Sequence, residues 1–245
     1  MLSKGLTMPR LPNARNHTPW RLCLGCLTWC LLITTIHGDD VPTAPADKTV
    51  WRTLWDGKTL QSWKITEFGG EGAVEIRDGM IVMQQGSELT GIHWSGPPLP
   101  TRNYEIELEA QRLEGSDFFC GLIFPVGDSF CSFVVGGWGG SVVGLSAVDG
   151  LYAIDNETVS FHSFDDKKWY KVRLRVSERF VQAWLNDKRV VRLDTQGRKL
   201  TLHPAVDLSK PLGICCFSTV AAFRNIRFRE LTPAETREIP PADEE

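Results

Sequence analysis

The stretch Tyr104-Glu-Ile-Glu-Leu-Glu-Ala-Gln111 decides the fold class of this chain, because apolar and polar residues alternate strictly along it. A β-strand points successive side chains to opposite faces, so a period of two predicts a strand with one buried and one polar face. The stretch Lys171-Val-Arg-Leu-Arg-Val176 repeats the pattern with basic residues in the polar positions, and further alternating runs follow at 181–186 and 226–229. These runs predict a sheet of half-buried strands.

The segments between these runs contain residues that favour turns, as at Arg77-Asp-Gly79, Asn186-Asp187 and Gly136-Gly137. No stretch of ten or more residues within 50–231 shows a helical stripe. We therefore predict an all-β domain over residues 50–231, an antiparallel β-sandwich of the jelly-roll kind. A body of roughly this size suits a single all-β unit.

The first 38 residues have the charge order of an export signal. Met1 to Arg21 carries four basic residues and no acidic one, and it leads into the apolar run Leu22 to Ile36. The run is shorter than the roughly 20 residues of a transmembrane helix, and no basic flank follows it. We expect cleavage after Gly38, with an uncleaved anchor as the alternative, because Ile36 stands where a small residue is preferred. This predicts a protein exported to the periplasm, the cell surface or the medium, with no stable membrane span after processing.

Residues 39–49 have the composition of a linker, and residues 232–245 that of a flexible acidic tail. Removal of residues 1–38 takes away four of the 27 basic residues and no acidic one, which leaves 23 against 30 and a formal charge of −7. An acidic domain is a poor match for the phosphate backbone, so no nucleic-acid partner is expected.

Three of the seven cysteines lie in the predicted export segment: Cys23, Cys26 and Cys30. Of the other four, Cys120 and Cys131 flank a predicted hairpin turn, so they form either a disulfide in an oxidising compartment or a pair of buried thiols. Cys215 and Cys216 are neighbours within a predicted strand, so their side chains should point to opposite faces and not bond to each other.

Four segments spread along the predicted domain carry a family resemblance. They are Leu54-Trp-Asp-Gly-Lys-Thr-Leu-Gln-Ser-Trp63, Glu75-Ile-Arg-Asp-Gly79, Tyr104-Glu-Ile-Glu-Leu-Glu109 and Phe223-Arg-Asn-Ile-Arg-Phe-Arg-Glu-Leu231. They resemble the opening signature, first hairpin, central strand and closing strand of the domain family of unknown function 1080, also described as 3-keto-disaccharide hydrolase domains. The hairpin of residues 169–176 and 183–187 resembles one found in concanavalin A-like lectin and glucanase folds. The resemblance implies a sandwich of that type.

The resemblance also implies a substrate, a glycoside already oxidised at its third carbon. The ketone acidifies the proton on C2, so a base can remove it, and the C1 substituent then leaves by elimination before water adds. Such a site needs a base near C2, a donor near the C3 oxygen and an acid for the leaving group. No cofactor is expected. His93 and His162 do not stand in a metal-ligand spacing, so no metal site is expected either.

Three residues are candidates for this chemistry. Glu109 matches the family's central-strand glutamate and is our expected base, with a solvated strand face as the plain alternative. Asp117 precedes an apolar strand and is the candidate second carboxylate, or a turn cap. Arg173 is the candidate group that stabilises the enolate, or one member of an exposed basic stripe.

The chain departs from the family pattern near the expected site. Phe119-Cys-Gly121 stands where members usually carry Asn-Ser-Gly, and Gln111 stands where an arginine is expected. These departures predict a divergent subgroup that uses Asp117, Cys120 and the glycine-rich stretch around Trp138. The candidate substrate-binding residues are Trp138, Trp184, Gln182, Gln111 and His93.

Three classes of function fit this sequence. The first is an exported hydrolase or lyase acting on 3-keto-glycosides, the second a non-catalytic carbohydrate-binding module of the same fold, and the third a structural or adhesive domain. Convergence of Glu109 and Asp117 with a histidine or arginine beside an exposed tryptophan would favour catalysis. Aromatic residues without paired titratable groups would favour binding alone.

Overall fold

The computed structural model describes residues 50–237, which form fifteen strands in two antiparallel sheets. The strands are β1 (Arg52–Thr53), β2 (Trp63–Ile65), β3 (Val74–Arg77), β4 (Met80–Met83), β5 (Leu89–Trp94), β6 (Tyr104–Gly115), β7 (Cys120–Val126), β8 (Ser129–Gly136), β9 (Val142–Ser146), β10 (Ser160–Phe161), β11 (Tyr170–Val176), β12 (Phe180–Leu185), β13 (Lys188–Asp194), β14 (Gly213–Phe217) and β15 (Thr219–Glu230). Three short helical elements complete the structure: α1 (Gly137–Gly140), the 3₁₀ helix η1 (Pro204–Ser209) and α2 (Pro233–Arg237).

The eight-stranded sheet has the spatial order β13-β12-β11-β6-β15-β4-β3, and β1 pairs with β15. The seven-stranded sheet has the order β10-β9-β8-β7-β14-β5-β2. The two sheets form a sandwich, which confirms the predicted fold class. Within residues 50–237, no helix has both the length and the apolar character needed to cross a membrane.

The predicted turns lie where the strands reverse. Asp78 and Gly79 join β3 to β4 with φ values of 51° and 70°, and Asn186 and Asp187 join β12 to β13 with φ values of 48° and 68°. Two successive residues with positive φ are the signature of the hairpin turn whose twist matches that of its strands. These turns set the registers of the β3–β4 and β12–β13 hairpins at the two ends of the eight-stranded sheet.

The core between the sheets is aromatic. Its largest fully buried side chains include Trp63, Tyr104, Phe119 and Phe228. The Tyr104 hydroxyl donates a hydrogen bond to the Pro125 carbonyl at 2.6 Å, so its polar atom is satisfied inside the core. Phe119, at the position where the family usually has asparagine, is therefore a packing residue in this chain.

All four cysteines of the described region are free and buried. Cys120 stands opposite Val135 and Cys131 opposite Phe124, so the hairpin does not pair the two cysteines, and the buried-thiol alternative is the one observed. Burial raises the pKa of the Cys131 thiol to about 12. Cys215 packs outside the main core and Cys216 inside it, which confirms that their side chains point to opposite faces.

The helix α2 lies in the segment predicted to be a tail. Its start is a reciprocal cap, in which the Thr232 hydroxyl accepts from the Glu235 backbone N–H and the Glu235 carboxylate accepts from the Thr232 backbone N–H. Glu235 also accepts hydrogen bonds from Arg229. The predicted export signal and linker, and residues 238–245 of the tail, lie outside the described residues.

Replacement of Glu235 by glutamine is expected to lower the free energy of unfolding by about 2 kcal/mol at pH 7. The hydrogen bonds from Arg229 lower the pKa of Glu235 to about 2, from an ordinary value of 4.5. A carboxylate with a lowered pKa in the folded state stabilises the fold above its unfolded pKa, and this contribution disappears as the pH falls from 4.5 toward 2. Urea unfolding should therefore show a difference between wild type and Glu235→Gln that shrinks by more than half at pH 3. Glu230→Gln, on the exposed end of β15, is the control, and an equal difference at both pH values would contradict this assignment.

Candidate functional site

The outer face of the eight-stranded sheet carries a ladder of ion pairs. Glu105, Glu107 and Glu109 of β6 lie between basic residues of β11 on one side and of β15 on the other. The Nε atom of Arg224 lies 2.5 Å from the Oε2 atom of Glu109, and the Nε atom of Arg227 lies 2.9 Å from Glu107. The polar face read from the sequence is thus a network in which each carboxylate has a cation beside it.

Five of the sequence-predicted site residues belong to this sheet: Glu109 and Gln111 on β6, Arg173 on β11, and Gln182 and Trp184 on β12. The guanidinium of Arg173 lies over the Trp184 ring, 4.0 Å from its centroid. Gln182 and Gln111 are buried, and Gln182 stands between Arg175 of β11 and Arg192 of β13. Stacking and ion pairing of this kind hold side chains in place without a ligand.

A polar cavity of about 380 Å³ opens on the same sheet. Its lining includes Glu107 and Glu109, together with Asp56, Asn225 and Arg227. Backbone hydrogen bonds from Thr59 and Lys58 lower the pKa of Asp56. Arg173 and Trp184 do not line this cavity, so the expected base and the expected enolate-stabilising residue do not share it.

A second cavity, of about 410 Å³, lies on the outer face of the seven-stranded sheet. Its floor consists of buried apolar side chains from several elements: Leu89, Ile123, Val134, Val206 and Cys215. Its more accessible lining, the rim, includes Glu88, Asp117, Trp138, Tyr152 and His203. This rim cavity combines an exposed tryptophan with two carboxylates and a histidine.

Asp117 holds the glycine-rich turn of the rim. Its Oδ1 atom accepts a hydrogen bond from the Phe118 backbone N–H at 2.7 Å, and its Oδ2 atom accepts one from the Gly139 backbone N–H at 3.1 Å. Gly139 has a φ of 82°, a left-handed conformation that glycine adopts at no steric cost. Because Trp138 precedes Gly139 in this turn and is 42 % exposed, Asp117 fixes the position of an aromatic surface beside its own carboxylate.

His203 begins the helix η1 and faces the same cavity. Its Nδ1 atom accepts a hydrogen bond from the Ala205 backbone N–H at 3.2 Å, and its ring lies 4.9 Å from the Tyr152 ring. When Nδ1 of a neutral imidazole is the acceptor, Nε2 carries the proton. His203 can therefore offer an N–H donor to a ligand in the cavity.

The remaining rim carboxylate is Glu88. It is exposed, and within the described part of the chain it forms no ion pair. Together with Asp117 it gives the cavity two carboxylates in different settings, one fixed by backbone hydrogen bonds and one open to solvent.

The structure therefore separates the predicted site residues. Asp117 and Trp138 line the rim cavity, whereas Glu109, Gln111, Arg173, Gln182 and Trp184 belong to the opposite sheet. The chain passes from β6 in one sheet to β7 in the other around Asp117, so Glu109 and Asp117 emerge on opposite outer faces. The sequence analysis considered a single site in which Glu109 and Asp117 converge, and the structure does not bring these two residues together.

His93 lies on β5 and does not line the rim cavity. Its Nδ1 atom is 3.1 Å from the Thr66 hydroxyl, and burial together with nearby Lys64 lowers its pKa. Between residues 50 and 237, no group of three or more histidine, cysteine, aspartate and glutamate side chains is placed to hold a metal ion.

Sequence reasoning missed Glu88, Tyr152 and His203. Each lies in a connection between strands, and no spacing in the sequence relates one to another. The one local signal was His203 before Pro204, which is a helix-start pattern, and such a pattern predicts a cap without predicting a ligand.

The two-sheet architecture defines a β-sandwich of the galectin-like jelly-roll kind. Residues 50–229 match the model of the 3-keto-alpha-glucoside-1,2-lyase-like domain, and the chain belongs to that family. This confirms the resemblance seen in the sequence. Among functionally curated proteins, none matches this sequence.

Solved structures share the fold at low sequence identity. Crh5 transglycosylase is 11 % identical with a TM-score of 0.52, over 76 % of this chain and 85 % of its own. A Bacillus subtilis protein of unknown function with a galectin-like fold is 10 % identical with a TM-score of 0.52, over 75 % and 96 %. The Bacillus subtilis carbohydrate-binding module CBM66 is 14 % identical with a TM-score of 0.46, over 69 % and 96 %. At these identities the likeness shows the fold alone.

Proposed function

We propose that this domain cleaves 3-keto-glycosides by elimination in the rim cavity. The observation that carries the proposal is that Asp117, Glu88 and His203 line one cavity beside the exposed Trp138. Paired titratable groups beside an aromatic surface are what the reaction requires. Family membership supports the same class of substrate.

Each rim residue has a role in this mechanism. Asp117, fixed by its two backbone hydrogen bonds, takes the proton from C2, and the Nε2–H of His203 donates to the C3 oxygen as the enolate forms. The electron pair of the enolate then forms a C1=C2 double bond while the bond from C1 to the leaving oxygen breaks. Glu88, at the open rim, passes a proton from solvent to the leaving oxygen, and water adds across the double bond to yield the 3-keto sugar. Trp138 supports the face of the sugar ring.

A second candidate function is glycoside binding without cleavage. The apolar floor of the rim cavity favours it, because Ile123, Val134 and Cys215 offer surface for packing and no group for proton transfer. The exposed rings of Trp138 and Tyr152 would serve a binding module equally well.

The test is to incubate the purified protein with 4-nitrophenyl 3-keto-glucoside, as both anomers, and to follow release of 4-nitrophenol. We expect turnover that depends on the 3-keto group, since the unoxidised glucoside lacks an acidic C2 proton. Binding measured by calorimetry without any release would replace the enzyme proposal with the binding module. Loss of turnover in Glu109→Gln, with turnover kept in Asp117→Asn, would show that the active site lies on the eight-stranded sheet and not in the rim cavity.

We propose further that the protein acts outside the cytoplasm, on the basis of the basic and apolar character of residues 1–36. N-terminal sequencing of the protein recovered from its native cells should begin at Asp39. An intact Met1 on a protein recovered from the cytoplasm would contradict export.

A further inference from the structure

The rim cavity is divided by polarity in a way that the elimination reaction does not require. Its carboxylates and its histidine belong to the accessible rim, whereas Leu89, Ile123, Val134, Val206 and Cys215 of the floor are all buried. The rim and the floor should therefore bind different parts of a glycoside.

The floor has few polar atoms to offer a sugar. Its lining hydroxyls are those of Ser132 and Ser146, and the Ser132 hydroxyl already donates to the Ser146 carbonyl at 2.6 Å. A pyranose carries hydroxyl groups around its edge, and each one buried without a partner costs the desolvation of a polar group. The floor is therefore unsuited to a second sugar ring.

The floor is instead shaped for a flat apolar group. The Phe118 and Phe217 rings stack at its side with centroids 5.7 Å apart, and both line the cavity. Gly121 adds no side chain to the floor. A Cβ atom at that position would come within 3.0 Å of the Cys215 sulfur and 3.1 Å of the Phe118 ring. An apolar cavity of about 150 Å³ is enough to hold benzene, so a cavity of about 410 Å³ has room for such a ring and part of a sugar.

We infer that the substrate class is a 3-keto-glycoside of an apolar aglycone, aromatic or alkyl, and not a disaccharide. The inference rests on the proposed function: the sugar lies at the rim against Trp138, within reach of Asp117 and His203, and the aglycone enters the floor. The bond that breaks, from C1 to the aglycone oxygen, then lies at the boundary between the polar and the apolar region. Glu88 at the rim would meet the leaving oxygen there.

Affinity tests this inference without any need for turnover. Calorimetry with methyl, phenyl and hexyl glucosides and with trehalose, each below any micelle-forming concentration, should show phenyl and hexyl glucoside binding about 30-fold more tightly than the methyl compound. Trehalose should bind no better than methyl glucoside. Equal affinity for all four compounds, or tighter binding of trehalose, would overturn the inference.

A matched pair of variants tests whether the preference for apolar aglycones comes from the floor. Val134→Thr replaces a methyl group of the floor by a hydroxyl at nearly constant volume, and it should weaken phenyl and hexyl glucoside by about 5-fold while leaving methyl glucoside unchanged. Val190→Thr makes the same change on β13 of the other sheet and should leave all affinities as in wild type. If Val134→Thr leaves the preference for apolar aglycones intact, the floor does not bind the aglycone.

The two proposals fail in distinguishable ways. Tight binding of phenyl glucoside with no release from 4-nitrophenyl 3-keto-glucoside would end the enzyme proposal and keep the binding preference. Release at equal rates from 3-keto-trehalose and from 4-nitrophenyl 3-keto-glucoside would keep the enzyme and end the apolar specificity.

Discussion

Turnover of 4-nitrophenyl 3-keto-glucoside is expected to fall by about 100-fold or more when Asp117 is replaced by asparagine. The asparagine retains an oxygen that can accept from the Phe118 backbone N–H, but it has no basic oxygen to take the C2 proton. The loss should appear in kcat, because the sugar surface of Trp138 remains. Steady-state kinetics with purified variants provide the measurement.

Because Asp117 also anchors the Gly139 backbone, two further variants separate its roles. Trp138→Ala keeps the carboxylate and should raise KM with a smaller effect on kcat. Asp128→Asn, on the exposed turn between β7 and β8, makes the same chemical change away from the cavity and should behave as wild type. A kcat for Asp117→Asn within a few-fold of wild type would show that Asp117 is not the base that takes the C2 proton.

Replacement of Glu105 by alanine is expected to lower the free energy of unfolding by about 3 kcal/mol, the largest effect we predict on the fold. The Glu105 side chain is fully buried, with Arg175 Nε at 2.7 Å and Arg229 Nε at 2.6 Å from its oxygens. A third guanidinium, that of Arg173, lies 3.9 Å away. Removal of the carboxylate takes away the negative charge that all three guanidinium groups share and leaves Arg175 and Arg229 with Glu235.

Urea unfolding at pH 7 measures this effect. The matched control is Glu75→Ala, on the exposed side of β3, for which we expect a change below about 0.5 kcal/mol. Glu105→Gln should fall between the two, since it keeps the shape and the hydrogen-bond acceptor but not the charge. A loss below about 1 kcal/mol in Glu105→Ala would show that the arginines find water or other partners instead.

The fold was largely predictable because its signals are local. Alternation in residues 104–111 and 171–176 fixes which side chains face the core, and the Asp78-Gly79 and Asn186-Asp187 turns fix where the strands reverse. The same alternation correctly places Cys215 and Cys216 on opposite faces. Each of these features depends on residues within a few positions of one another.

The candidate site was less predictable because its members come from separate connections. Asp117 and Trp138 were selected from the sequence, but the sequence does not show that β6 and β7 belong to different sheets. That crossing puts Glu109 on one outer face and Asp117 on the other. Glu88 and His203 reach the cavity only through the pairing of β5, β14 and β7, which no local pattern encodes.

The most direct measurement of the central claim is a crystal structure of the Asp117→Asn variant soaked with 4-nitrophenyl 3-keto-glucoside. We predict density for the sugar between Trp138 and His203, with the C3 oxygen within hydrogen-bonding distance of the His203 Nε2 atom and the nitrophenyl ring over the floor. Density for the glycoside beside Glu109 on the eight-stranded sheet, with the rim cavity empty, would contradict it.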